Sequence, residues 1–164
     1  MQGQISAIPL PTSSVDFLCA FDVIEHVDDD DDDDAAISEL ARVARPGAAM
    51  LTSVPLHPDR WTAFDDFVGH RRRYEPERIL SKLDGHGFDI ERSAVYGMQA
   101  KSSRLLDLGM WYLTHERERE MWWYNLVGMP MGLWRQSKLD VVPGLVDAAD
   151  VDEVLLVCRK RTSP

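Results

Sequence analysis

Residues 15–54 constrain the fold more than any other stretch. They read V-D-F-L-C-A-F-D-V-I-E-H-V, then seven aspartates, then A-A-I-S-E-L-A-R-V-A-R-P-G-A-A-M-L-T-S-V-P. Phe17-Leu18-Cys19-Ala20 is continuously apolar, which suits a strand over Val15 to Ala20 buried on both faces. Ile37, Leu40, Ala41 and Ala44 recur at helical spacing, with Glu39 and Arg42 off that face. Pro46-Gly47 stops a helix, and Ala48 to Val54 reads as a second buried strand. A strand, a crossover helix and a second strand form a right-handed parallel unit. The seven adjacent aspartates repel one another, so most of that run is expected in a solvated loop, with its last members capping the helix.

The rest of the chain continues the alternation. Residues 1–14 hold Pro9, Pro11 and a Thr-Ser-Ser turn, and form no element of their own. Residues 55–74 have no period, and an irregular segment of 20 residues inside a domain is usually functional. It reads either as a lid or substrate loop, or as a packed loop holding Trp61, Phe64 and Phe67. Pro76 opens a helix that ends near Asp84. Phe88 to Tyr96 is a third strand and Val151 to Cys158 a last one, the two forming an antiparallel pair across a long excursion. That excursion, residues 98–144, is a helical insert carrying Trp111, Trp122, Trp123 and Trp134. Three uses suit it: a small core of its own, an apolar substrate cover or oligomer surface, or peripheral membrane contact. Mixed flanking charge weighs against the last.

Bulk properties narrow the function classes. A chain of 164 residues can bury one substantial core. Its formal charge is −10, but the aspartate run supplies most of it and leaves about −3. With only Arg71-Arg72-Arg73 as a basic cluster, nucleic acid is not an expected partner. Cys19 and Cys158 sit in apolar runs as small core residues, which suits a reducing, cytoplasmic setting. No signal peptide or membrane-spanning run is expected. The aspartates lack the spaced ligands and turn glycine of a calcium loop, and no Cys/His zinc spacing occurs, so no metal site is expected. No G-x-S-x-G elbow supports hydrolase chemistry.

Several motifs in order resemble the class I S-adenosylmethionine-dependent methyltransferases, in particular the type 11 small-molecule and lipid group. They are Q-G-Q-I-S-A-I-P-L-P-T-S-S-V-D-F before and into the first strand, Ile24-Glu25-His26 after it, and R-V-A-R-P-G at Arg42 to Gly47. The strand ending in S-V-P follows, then G-H-R-R-R-Y-E-P-E-R-I-L and G-H-G-F-D-I-E-R. The resemblance covers residues 2–96. The implied fold is α/β, a partial Rossmann-like class I methyltransferase sheet with a helical insert before the last strand. The family's glycine-rich loop, and the acidic residue that takes the ribose hydroxyls, are not among these residues. Residues 1–164 are therefore expected to be a single truncated methyltransferase-like domain.

The resemblance implies S-adenosylmethionine as cofactor. Its cleft would be lined by Cys19, Ala20, Phe21, Glu25 and His26, with Gln4 near the adenine amine and Ile5 against the ring. His26 and His70 are the catalytic candidates, and His57, Trp61 and Tyr74 the substrate contacts. The implied activity is methyl transfer to a small-molecule or lipid-like acceptor. The alternative is a noncatalytic methyltransferase-like partner or remnant, part of an oligomer or completed by another chain.

Overall fold

The strand–helix–strand unit of residues 15–54 folds as one side of a five-stranded sheet. The computed structural model describes residues 3–27, 30–96 and 138–162, and within 97–137 only 111, 115, 117–128, 130 and 134. β1 (Val15–Phe21) leads through a short 3-10 turn to α1 (Asp30–Val43) and β2 (Ala44–Pro55). Then come α2 (Ala63–Val68), α3 (Pro76–Gly85), β3 (Phe88–Val95), α4 (Arg117–Trp123), β4 (Val142–Pro143) and β5 (Glu153–Lys160).

The sheet order is β1-β2-β5-β3-β4. β1 and β2 are parallel, as a helical crossover requires, and β5 runs antiparallel between β2 and β3. The expected long-range pair of the third and last strands is therefore present, with β4 added as a two-residue edge. Met50 pairs with Cys158, Thr52 with Leu156 and Val54 with Val154. All six are buried, and Ile37, Leu40, Ile79 and Leu83 from α1 and α3 join the same core.

Three expectations need correction. The aspartate run is not mostly loop, because α1 already includes Asp30 to Asp34. Acidic residues in a first turn meet the positive end of the helix. Two of these also find partners: fully buried Asp33 accepts from the Tyr74 hydroxyl at 3.1 Å and from Lys82 at 2.9 Å, and Asp34 lies 3.1 Å from His86. Pro46-Gly47 is not a clean boundary between helix and strand. It sits in a bulge inside β2, where the register jumps from Val15↔Ala44 to Phe17↔Ala49 and Gly47 takes a φ of 81°. Finally, β1 is not buried on both faces. Leu18 and Ala20 turn inward, while Phe17, Cys19 and Phe21 are exposed. The core helices cover one face of the sheet only at this strand.

The irregular segment is partly ordered by short elements, a 3-10 turn at Pro58–Arg60 and α2. The helical insert over 98–144 falls largely outside the described residues. Within it α4 passes into a π-helical turn at Tyr124–Gly128, and Trp111, Trp122, Trp123 and Trp134 are exposed.

Of Asp33 and Asp34, only Asp33 is buried, with partners at Tyr74 and on α3 at Lys82. Asp33→Ala strips Lys82 and Tyr74 of a buried acceptor and is expected to cost about 3 kcal/mol. Asp34→Ala, at a half-exposed site, should stay within about 1 kcal/mol. Urea unfolding of both variants checks the contrast.

Candidate functional site

Among the described residues β1 pairs only with β2. On its other side the preceding chain folds back and is clamped by two residues of α1. Arg42 donates to the carbonyls of Ile8 and Leu10 at 3.0 and 2.9 Å, and Glu39 accepts from the Ile8 amide at 2.9 Å. The two clamp residues hold each other at 2.7 Å. Between this segment, β1 and α1 lies a cavity of about 650 Å³. Ile5, Ile8, Leu18, Ala20 and Leu40 give it apolar walls, with Gln4, Cys19 and His26 in the same lining.

A second cavity, of about 270 Å³, opens beyond the carboxyl ends of β1 and β2. Asp22, His26, Thr62, Phe64, His70, Arg73 and Glu153 line it. His26 belongs to both cavities.

The second cavity is built by the segment that has no sequence period. Thr62 and Asp65 form a capping box at the start of α2, and Gly69 ends that helix in the left-handed conformation at φ 81°. Asp65 is fully buried and accepts from Arg73 through both oxygens, at 2.8 and 2.9 Å. His70 Nδ1 lies 2.9 Å from the same carboxylate. Burial acts to raise the Asp65 pKa, but hydrogen bonds from Arg73, His70 and Thr62 prevail and hold it at about 2. An ionised carboxylate can only accept, so Nδ1 of His70 carries a proton, and in the neutral ring Nε2 presents a lone pair. The same reasoning applies to His26, whose Nδ1 lies 2.9 Å from the Gly69 carbonyl. Both Nε2 atoms point toward Glu25, each 3.8 Å from Oε1.

Glu25 has no solvent exposure, and neither carboxyl oxygen has a hydrogen-bond partner among the described residues. Burial, with Asp22 adding negative charge, pushes its pKa up to about 8. Glu153 is likewise pushed to about 8, first by burial, then by Asp22 and Glu25. Two of the carboxyls beside this cavity thus hold protons unusually well, while the neighbouring Asp65 does not.

A sequence profile described as a methyltransferase domain matches residues 1–52. A probable S-adenosylmethionine-dependent methyltransferase of Mycolicibacterium smegmatis is 36% identical over 93 residues, covering 54% of this chain and 34% of that protein. Over the matched residues the chain is similar to class I methyltransferase domains. Its fold agrees with solved structures at low identity. A SAM-dependent methyltransferase of Thermotoga maritima, described as a possible histamine N-methyltransferase, superposes with a TM-score of 0.60 at 14% identity, over 98% of this chain and 63% of that one. A putative methyltransferase of Bacillus halodurans gives 0.57 at 16% identity, over 98% and 76%. The chain spans about a third of the length of the curated relatives it matches. No helix among the described residues is long and apolar enough to cross a membrane.

The residues expected to line a cofactor cleft are mostly brought together in this methyltransferase-like domain. Gln4, Ile5, Cys19, Ala20 and His26 line the larger cavity, and Glu25 lies buried beside His26. Cys19 does so from an exposed position, so it is not the small core residue its apolar run suggested. Phe21 lies outside that lining and stacks on Tyr96, centroids 6.0 Å apart. His70 reaches the second cavity. The three expected substrate contacts line neither cavity. Tyr74 is a core residue at 1% exposure, His57 bonds to the Ala148 carbonyl at 2.7 Å, and Trp61 donates to Asp66 at 3.1 Å. The sequence reading missed Asp22, Asp65, Arg73 and Glu153. Only Asp65 carried a local signal, the T-x-x-D spacing of a capping box.

The raised carboxyls set a stability profile. Glu25 and Glu153 bind protons more tightly folded than unfolded, so their contribution is complete below the ordinary value of 4.5 and is lost as pH rises through about 8. Asp65 acts oppositely: its contribution is present above 3.8 and is lost as pH falls toward about 2. Urea unfolding at a series of pH values should therefore show stability declining from mildly acidic toward alkaline pH. Glu153→Gln should flatten that decline, and an unchanged slope would contradict the assignment.

Proposed function

We propose that the domain serves S-adenosylmethionine-dependent methyl transfer to a small-molecule or lipid-like acceptor, with the donor in the larger cavity and the acceptor in the smaller. The observation that supports this reading is His26, which lines both cavities and so stands where the two reactants would meet. The larger cavity suits the donor in size and in its apolar walls, and Gln4 offers an amide to the edge of an adenine ring. When bound, S-adenosylmethionine supplies a methyl carbon to an in-line nucleophile. Such a displacement depends chiefly on placing the reactants. Gln4, Ile5, Cys19 and Ala20 would seat the donor, and Thr62, Phe64 and Arg73 would seat the acceptor. His26 and His70 both line the smaller cavity, where either can take a proton from an acceptor that must lose one. Two free thiols support a cytoplasmic setting.

A second reading, a noncatalytic methyltransferase-like partner, is favoured by one feature. No glycine-rich loop occurs in these 164 residues, so they offer one wall of a cofactor cleft. Titration with S-adenosylhomocysteine separates the two readings. Exposed Cys19 lies in the larger cavity, whereas burial pushes the Cys158 thiol up to about 12 and out of reach. A maleimide should therefore label Cys19 alone, and bound S-adenosylhomocysteine should protect it. Ile5→Asp, which sets a charge in the apolar wall, should weaken binding by about tenfold or more. Neither heat of binding nor protection at millimolar ligand would remove independent cofactor binding and leave the noncatalytic reading.

A further inference from the structure

We propose that Glu25, His26 and His70 form a binding site for a first-row divalent transition cation, of the zinc or iron(II) type. One carboxylate oxygen and two imidazole nitrogens lie within 4.8 Å of one another. Each Nε2 is 3.8 Å from Glu25 Oε1, too far for a hydrogen bond and close to the edge of a coordination polyhedron. Such cations hold nitrogen and oxygen donors at about 2.0–2.2 Å, so shifts of an ångström or less close the site.

The surroundings are those a metal site needs. Each histidine has its other nitrogen committed: His70 Nδ1 to Asp65, and His26 Nδ1 to the Gly69 carbonyl. A carboxylate–histidine arrangement of this kind fixes the tautomer and aims the ring. Arg73 in turn holds Asp65 from behind through two hydrogen bonds. Glu25 supplies the independent sign of a ligand. It is wholly buried, both oxygens lack a hydrogen-bond partner among the described residues, and the two Nε2 atoms each lie 3.8 Å from Oε1. Buried carboxyl oxygens are rarely left in that condition. A cation satisfies Glu25 and both Nε2 atoms together.

Two histidines and one carboxylate leave further coordination positions, and both histidines line the smaller cavity. A hydroxyl, amine or water there would become the next ligand and a stronger acid. With the cation bound, His26 and His70 are ligands and cannot also take a proton. The site does not depend on the methyl-transfer reading, because the metal is detected by its own binding.

Titration of the metal-stripped chain with ZnCl2, and with CoCl2 followed by visible absorption, tests the site. One cation per chain is expected. His26→Ala removes a partly exposed ring and spares the core. It should weaken binding by more than the roughly 10–100-fold typical of losing an outer partner. Glu25→Gln keeps the shape of the side chain and should do the same. His86→Ala, at the Asp34 pair, should change nothing. Failure to bind, insensitivity to His26→Ala, or dependence on His86 would overturn the proposal. Should Glu25→Gln not fold, nitrogen NMR of the unaltered chain decides. Zinc must move the Nε2 resonances of His26 and His70 and leave their Nδ1 protons in place.

Discussion

Asp65 holds a negative charge out of water, and the loop side of the molecule depends on how that charge is met. Removing a carboxylate from solvent is costly unless donors replace the lost hydration. Arg73 supplies two, His70 one, and the Thr62 cap the rest. In meeting Asp65 these groups fold residues 62–73 back over the carboxyl ends of β1 and β2. The walls of the smaller cavity, and the direction of the His70 ring, follow from that single neutralisation.

A comparable device works near the start of α1. Asp33 is buried against Tyr74 and Lys82, and Arg72 lies 3.5 Å away. The basic triplet Arg71–Arg73 is thus directed inward at two of its three members, to Asp33 and to Asp65. Two buried aspartates and two arginines tie the crossover helix, the loop and α3 into one body. The sheet supplies the platform, and these pairs decide what stands on it.

The sheet was legible because its signals are local. Apolar runs and helical spacing lie within a few residues, and the strand–helix–strand unit came out in the right order. Pro76 placed α3 for the same reason. The aspartate run misled because like-charge repulsion is also local, whereas its remedies, Lys82 and His86, lie about fifty residues away. Cys19 misled because apolar composition cannot tell a strand covered on both faces from one covered on a single face. The candidate site was only half legible. Gln4, Ile5, Cys19, Ala20 and His26 lie before, within or after one strand, so a family resemblance reaches them. Glu25 and His70 are 45 positions apart, and nothing in either neighbourhood announces the other.

The clean alternation along β1 has a bearing on handling. Phe17, Cys19 and Phe21 stand in a row on an uncovered face, at a strand with one hydrogen-bonded neighbour among the described residues. An uncovered strand of this kind is a template for another chain. In solution that row offers a neighbouring molecule two aromatic rings and, between them, one exposed thiol.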